Sequence, residues 1–308
     1  MRVLVIKPSS FGDVIHTLPM VHALRQHPGV DALDWVINTE YQSLLEGNPD
    51  VERRIIFPRR QKRHLIKFLG ELRQEYYDWV IDLQGLLRSG LIASLARGRR
   101  KIGMSDSREG ASLFYSQTIS VSAVHAIERY QQVLQGLGVK YETLTFSLPQ
   151  SDDFKGVPDS FVLIHPYSRW LTKQLPKKLI FDLVKQLAPK PVLIVGQGKS
   201  WNVPGAIDLT NRTSFKELIG LIKKAEAIIS TDSGPMHLAA ALDKPLVALF
   251  GPTDPLKTGP WIKKSRVMQL GLSCVPCLSR KCRIEETQAC LQRITADDVL
   301  KVLKQVTH

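Results

Sequence analysis

Cysteine is confined to one place in this chain. Four occur among 308 residues, all between 274 and 290, which excludes a disulfide framework spanning the fold and leaves a local feature. No stretch approaches the 18 uncharged residues of a membrane span. Only four apolar residues separate Met1-Arg2 from Lys7, too few for a signal-peptide core, so the expectation is a cytoplasmic protein. Low-complexity segments are missing as well. With 44% apolar and 23% charged residues the composition is globular, and the length predicts two domains of roughly 150 residues each.

Two nucleotide-binding signatures are also lacking. Gly196-Gln197-Gly198 follows an apolar run, but Trp201 stands where the dinucleotide fingerprint needs a third glycine. Gly198-Lys199-Ser200 imitates the end of a P-loop, yet Leu193 occupies the place of its first glycine. Neither a dehydrogenase nor a P-loop kinase fits.

Acidic residues are few: 29 against 42 lysines and arginines, a formal charge of +13. Such a surplus calls for an acidic partner, whether nucleic acid, anionic membrane surface or phosphorylated substrate. Residues 53–108 hold fourteen of the cations against five acids, including Arg59, Arg60, Lys62, Arg63, Arg97, Arg99, Arg100 and Lys101. Nucleic acid is disfavoured. The aromatics in that stretch, Phe57, Phe68, Tyr76, Tyr77 and Trp79, mostly fall at strand or helix-core spacing rather than as stacking platforms.

Short apolar runs alternate with amphipathic segments of helix length. Strands are predicted at 3–6, 33–37, 54–57 and 79–83, then at 161–164, 192–195, 227–229 and 246–250. Such alternation implies βαβ units and parallel sheets, an α/β protein of two doubly wound, Rossmann-like halves. The halves begin alike: Val3-Leu4-Val5-Ile6-Lys7-Pro8-Ser9-Ser10 echoes Phe161-Val162-Leu163-Ile164-His165-Pro166-Tyr167-Ser168. Two such sheets would face each other across a cleft lined by their carboxyl edges, where open α/β sheets bind ligands. The boundary is expected near residue 150, giving domains 1–150 and 151–308, with the last helix a candidate to pack back on the first domain.

Three segments carry chemistry. Ser9-Ser10-Phe11-Gly12-Asp13 follows the first strand and opens a helix, placing a carboxylate where it could accept a proton from an attacking alcohol. A helix N-terminus wants the same carboxylate for capping, and spacing leaves both roles open. Thr231-Asp232-Ser233-Gly234-Pro235-Met236-His237 puts small residues before a helix, a cradle for a diphosphate or an ordinary turn and cap. His165-Pro166-Tyr167-Ser168 with Lys173 offers hydroxyls and an ammonium that could neutralise a departing diphosphate, or Lys173 is simply a solvated loop lysine.

In their joint order these segments resemble the ADP-heptose:lipopolysaccharide heptosyltransferase family (glycosyltransferase family 9), most closely its type I members. The matching stretches are Lys7 to Pro19, Asp82-Leu83-Gln84-Gly85-Leu86-Leu87-Arg88-Ser89, Arg108-Glu109 with Ala111 to Tyr115, His125 to Arg129, Lys173 to Pro176, and Thr231 to Gly234 with His237 through Pro255. They span nearly the whole chain. The resemblance implies a GT-B fold, with acceptor held by the N-terminal domain and nucleotide sugar by the C-terminal one. It implies metal-independent, inverting transfer of heptose from ADP-heptose to the Kdo/heptose inner core of lipopolysaccharide, with Asp13 as base. Ser168, Lys173, Asp232, Ser233, Gly234 and His237 are then donor-binding candidates. Ser10, Gly12, Arg63, Arg88 and Arg108 are acceptor-binding candidates. The acceptor expected is Kdo2-lipid A or a heptosylated core, met peripherally at the inner-leaflet membrane surface. The competing expectation is a related family 9 transferase acting on a protein hydroxyl or outer-core sugar, or using another nucleotide sugar.

The chain departs from the family pattern twice. Where members commonly carry an acid for the donor ribose, it reads Gly196-Gln-Gly-Lys-Ser-Trp201, with no acid alongside. And Cys274, Cys277, Cys282 and Cys290, with Arg280, Lys281 and Arg283 beside them, are absent from the type I pattern. Four clustered thiols could hold a structural zinc or iron ion, or remain reduced or form adventitious disulfides.

Overall fold

The computed structural model describes residues 1–59 and 61–307, without the Lys62 side chain. Arg60 and the Lys62 side chain, both part of the basic segment, therefore lie outside the described residues. The chain divides into two compact units, Met1–Pro149 and Gln150–His308.

The first unit holds β1 (Arg2–Ile6), α1 (Phe11–Gln26), β2 (Ala32–Asn38), β3 (Arg53–Phe57), α2 (Leu65–Arg73), β4 (Tyr77–Asp82), α3 (Leu87–Leu95), β5 (Gly98–Met104), β6 (Gln117–Ile119) and α4 (Ala126–Gly136). Its sheet runs β3-β2-β1-β4-β5-β6, every pairing parallel. The second unit holds β7 (Val162–His165), α5 (Lys177–Leu187), β8 (Val192–Ile194), β9 (Ala206–Asp208), α6 (Phe215–Lys224), β10 (Ala227–Thr231), α7 (Gly234–Ala241), β11 (Leu246–Phe250), α8 (Pro255–Thr258), β12 (Ser265–Gln269), α9 (Ala289–Gln292) and α10 (Ala296–Thr307). Its sheet runs β12-β11-β10-β7-β8-β9, again all parallel. Renumbered within the unit, that is the same order as the first, so the two halves are topological duplicates.

Central strands are covered on both faces and read as unbroken apolar runs. Val3, Leu4, Val5 and Ile6 are fully buried, as are Leu246 to Phe250. Under α2 and α3 lies a core of Leu4, Ile6, Phe68, Leu72, Ile92 and Ala93, among others. Helix α10 buries Val299, Leu303 and Val306 in the core of the second unit. Within that unit it packs against α5 and β11.

Four strands were not anticipated: β5, β6, β9 and β12. The basic run Arg99-Arg100-Lys101 is the start of β5, and it splits the basic segment. Arg53, Arg54, Arg97, Arg99 and Arg100 lie at the amino ends of β3 and β5, whereas Arg59, Arg63, Arg88 and Arg108 follow the carboxyl ends of β3, β4 and β5.

Candidate functional site

In each sheet the chain reverses direction of winding beside its first strand, and ligands of open α/β sheets bind in the crevice outside that point. In the first unit the crevice lies beyond β1 and β4, where Ile6 is registered against Asp82. Asp13 sits in the first turn of α1 and accepts from the Ser10 amide at 2.9 Å and the Ser10 hydroxyl at 2.6 Å. Both bonds fall on Oδ2, and no described residue hydrogen-bonds Oδ1. The helix cap thus uses one oxygen of the carboxylate. Burial would raise the Asp13 pKa, but the Lys7 ammonium, the two Ser10 bonds and His16 outweigh it and hold the carboxyl below its ordinary value.

Lys7, which sequence reasoning passed over, is buried with its Nζ 2.9 Å from the Leu83 carbonyl and 5.9 Å from the Tyr130 ring centroid. Burial works against its charge, yet Tyr130, Asp13 and Asp82 keep its pKa above the usual lysine value. Asp82 closes β4 by accepting from the amides of Gln84 and Gly85 at 2.8 and 3.1 Å and from the Tyr115 hydroxyl at 2.7 Å. Gly103 makes room for that tyrosine, since a Cβ there would lie 2.0 Å from its ring. Gly85 (φ +64) offers its carbonyl to the Arg108 amide at 2.8 Å, bringing the Arg108 loop beside the start of α3. Arg88 and Arg108 are exposed, and neither side chain has a hydrogen bond or ion pair among the described residues. Arg63 is likewise exposed at the entry to α2, and Gly12 is half-buried in the first turn of α1.

In the second unit the crevice lies beyond β7 and β10. Asp232 follows β10 and is buried; its Oδ2 accepts from Lys173 Nζ at 2.8 Å and from Thr253 Oγ1 at 2.6 Å. The Ser233 hydroxyl donates to the Thr231 carbonyl at 3.1 Å and meets His165 Nδ1 at 3.0 Å. Its side chain is therefore engaged within the protein. The amides of Ser233 and Gly234, at the start of the eight-residue α7, have no acceptor among the described residues, so a ligand at Ser233 would meet backbone rather than hydroxyl. His237 is buried one turn into α7. Ser168 Oγ accepts from the Trp170 amide at 3.4 Å, a turn-forming contact. His165 is buried, which pushes its pKa down to about 4 and keeps the ring neutral near pH 7.

Two features were not legible along the chain. No acid stands beside Gly196–Trp201 in sequence, but the fold brings Asp208 there from the end of β9: Ser200 Oγ donates to its Oδ2 at 2.5 Å and the Thr210 amide to its Oδ1 at 2.9 Å. Gly196 and Gly198 are needed because a Cβ on either would lie within 3 Å of the Tyr167 ring. The cysteine segment, in turn, lies against the Lys173 loop. Thr172 Oγ1 donates to the Ser279 carbonyl at 2.8 Å, Gln288 Nε2 to the Leu171 carbonyl at 2.6 Å, and the Arg280 guanidinium lies 5.1 Å from the Trp170 ring centroid, with Lys173 Nζ at 5.7 Å.

Cys290 is buried, and the other three cysteines are half-buried or exposed. The Gln288 amide donates to Cys282 Sγ at 3.2 Å. Backbone amides of Gln288, Ile284 and Arg283 lower the Cys282 pKa despite a small opposing effect of burial, and burial together with the field of Cys282, Cys274 and Cys277 raises that of Cys290. Among the described residues no three His, Cys, Asp or Glu side chains converge as an ion's ligands would.

Comparison with known proteins bears on both units. Residues 65–288 match glycosyltransferase family 9 (heptosyltransferase). Lipopolysaccharide heptosyltransferase 1 of Pseudomonas aeruginosa is 31% identical over 325 residues, covering 94% of this chain and 89% of its own. Among solved structures, the Escherichia coli heptosyltransferase WaaC with ADP is similar with a TM-score of 0.79 at 26% identity, over 99% of this chain and 100% of that one. The same enzyme with ADP-2-deoxy-2-fluoro heptose gives 0.78 at 26% identity, over 99% of each chain.

Proposed function

Because the chain belongs to glycosyltransferase family 9, we propose that its two crevices divide one reaction, the first holding an acceptor alcohol and its base and the second a nucleoside-diphosphate sugar. The fold is GT-B, and the protein is a heptosyltransferase of lipopolysaccharide core assembly. The donor is ADP-heptose. The acceptor is the Kdo/heptose inner core, carried on a lipid in the inner leaflet.

The observation that carries the reading is Asp13: an ionised carboxylate at the crevice of the first unit with one oxygen occupied by the helix cap and the other without a hydrogen bond among the described residues. In the inverting reaction the acceptor oxygen bonds to the anomeric carbon from the face opposite the diphosphate. The bond from that carbon to the diphosphate oxygen breaks, and the acceptor proton passes to Asp13 Oδ1. A carboxylate held below its usual pKa is a weak base towards a neutral alcohol. It becomes effective only as the forming bond makes that alcohol acidic, which suits a concerted displacement. ADP leaves with the bonding pair. Lys173 and the amides of Ser233 and Gly234 supply positive charge and donors for it, while Asp232 holds the lysine until the diphosphate competes for it. Asp208 offers a carboxylate for the donor's ribose. Arg63, Arg88 and Arg108 suit the carboxylates and phosphates of the acceptor.

For the cysteines we infer a structural ion, zinc or iron. Its support is the clustering of four thiols within residues 274–290 beside Arg280, Lys281 and Arg283, with the Gln288 amide already donating to Cys282 Sγ; to ligate an ion the thiols would have to draw together, since no three converge among the described residues. Such an ion would brace the segment resting on the Lys173 loop.

The test is to incubate the protein with ADP-heptose and Kdo2-lipid A and read product mass and anomeric configuration. An inverted heptosyl product is expected. Retention of configuration, or transfer only from another nucleotide sugar or only to another acceptor, would overturn the assignment.

A further inference from the structure

Helix α3 has two apolar faces. Ser89, Gly90, Ile92 and Ala93 are buried, the last two in the core under the sheet, yet Leu87, Leu91 and Leu95, spaced four apart on the opposite side, stay 42–44% exposed. A helix on a solvated surface carries polar residues there. The stripe widens on both sides. Gly90 lets the 111–114 turn lie directly on α3, since a Cβ would be 2.9 Å from Phe114 and 3.1 Å from the Ala111 carbonyl; that turn exposes 85% of Leu113. Helix α2 shares the same core and opens with Ile66, 84% exposed. Isolated apolar residues on a surface are ordinary, but a contiguous group on adjacent elements marks a contact surface.

Charge identifies what covers it. Arg59, Arg63, Arg88 and Arg108 follow the carboxyl ends of β3, β4 and β5, around the same elements, and their side chains have no ion pair or hydrogen bond among the described residues. Elsewhere on this unit Arg2 and Arg53 are paired with Asp34 and Glu75 and Arg129 with Asp106, whereas Arg99, at the amino end of β5, shares the unpaired state of these four. A second copy docking through this patch would set the same four cations against themselves, and nucleic acid has no use for a leucine stripe. Exposed leucine and isoleucine ringed by unpaired arginine is the chemistry of a seat at an anionic lipid–water interface.

We propose that the outer face of α2, α3 and the 111–114 turn docks on an anionic bilayer, with Ile66, Leu113 and the α3 leucines entering the headgroup region and the arginines contacting lipid phosphates. The proposal rests on the transferase reading, whose acceptor is anchored in such a surface. It adds which face meets the lipid: the four arginines follow carboxyl ends of the same sheet at whose carboxyl edge Asp13 follows β1.

The full chain is sedimented with vesicles of phosphatidylcholine alone and of phosphatidylcholine with phosphatidylglycerol. Binding to the anionic vesicles only is expected, weakened by added salt. The double variant Ile66→Glu, Leu113→Glu should lose roughly tenfold in partitioning while turning over a lipid-free acceptor at the normal rate; Leu256→Glu, at an exposed leucine of the second unit, should bind as the parent does. Unchanged partitioning of the double variant, an equal loss in the control, absence of vesicle binding by the parent, or a lipid-free dimer that the double variant dissolves would each overturn the proposal. Failure of the parent to turn over lipid-free acceptor would instead refute the transferase reading, because vesicle binding is read without substrate.

Discussion

Replacing Asp13 with asparagine separates base chemistry from the helix cap. The asparagine carbonyl can accept where Oδ2 now takes the Ser10 amide and hydroxyl at 2.9 and 2.6 Å, so the first turn of α1 is retained. What disappears is the charge. A missing general base costs roughly 10²–10⁴ in kcat, or about 3–5 kcal/mol of barrier. The loss of stability is smaller. Lys7 loses its carboxylate neighbour but keeps the Leu83 carbonyl and the field of Asp82, so about 1–2 kcal/mol is expected, a fall of several degrees in Tm for a domain of this size.

Saturating donor and acceptor, with product followed by mass spectrometry, give kcat; calorimetric titration of the donor gives its Kd. The expected result is a low kcat with donor Kd unchanged, because Asp13 belongs to the unit assigned to the acceptor. Ser10→Ala serves as the complement: it removes the 2.6 Å bond but leaves the carboxylate, so kcat should fall far less. Should Asp13→Asn turn over within roughly threefold of the parent, the carboxylate is a helix cap and the base lies elsewhere.

Lys173→Ala removes the ammonium 2.8 Å from Asp232 and should weaken donor binding or slow turnover by at least about tenfold; neither changing would exclude it from the donor site. Gly103→Ala drives a methyl into the Tyr115 ring and should cost about 1–3 kcal/mol in urea unfolding, so an unaltered midpoint would mean that Tyr115 is not held as described. Asp13, depressed below the usual carboxylate value, remains ionised as pH falls through that range, so the acid limb of kcat should lie below about pH 4 and a limb near neutrality would belong to another group. His165, unprotonated when folded down to about 4, contributes stability that is complete above 6.5 and lost as pH falls from 6.5 towards 4; a flat Tm across that window would refute its burial. Protein purified without added metal should carry one zinc or iron per chain, lost in Cys282→Ser, whereas four freely titratable thiols without metal would end that inference.

Strands buried on both faces were legible because burial leaves an apolar run in the sequence, as in Val3–Ile6 or Leu246–Phe250. β5 was not, because Arg99, Arg100 and Lys101 sit near the sheet's edge where side chains reach water, and Gly103 is there for Tyr115 rather than for the strand. β6 and β9, three residues each, carry no period. For the site, position after a strand pointed to Asp13, Asp232 and Lys173. Contacts made by distant segments were invisible: Tyr115 on Asp82, Ser200 on Asp208, Arg280 over Trp170. A basic run looks continuous in sequence until a strand passes through it and sends its halves to opposite ends of the sheet.

The duplicated frame explains how one fold presents two opposite surfaces to its ligands. Both units place Pro and small hydroxyl residues after their first strand, and both open a crevice beside it. In the first unit the polar residue before that proline is Lys7, a buried ammonium whose charge must be met nearby; Asp13 meets it, and the carboxylate is thereby kept ionised. In the second unit the same place holds His165, neutral through burial, so no buried cation there demands an acid at the start of α7. The amides of Ser233 and Gly234 are left to an anion from outside, and the nearest carboxylate, Asp232, is already bound to Lys173 and Thr253. The residue that ends or follows the first strand thus differs in charge between the units, an ammonium met by a carboxylate in the first and a neutral imidazole beside free backbone amides in the second.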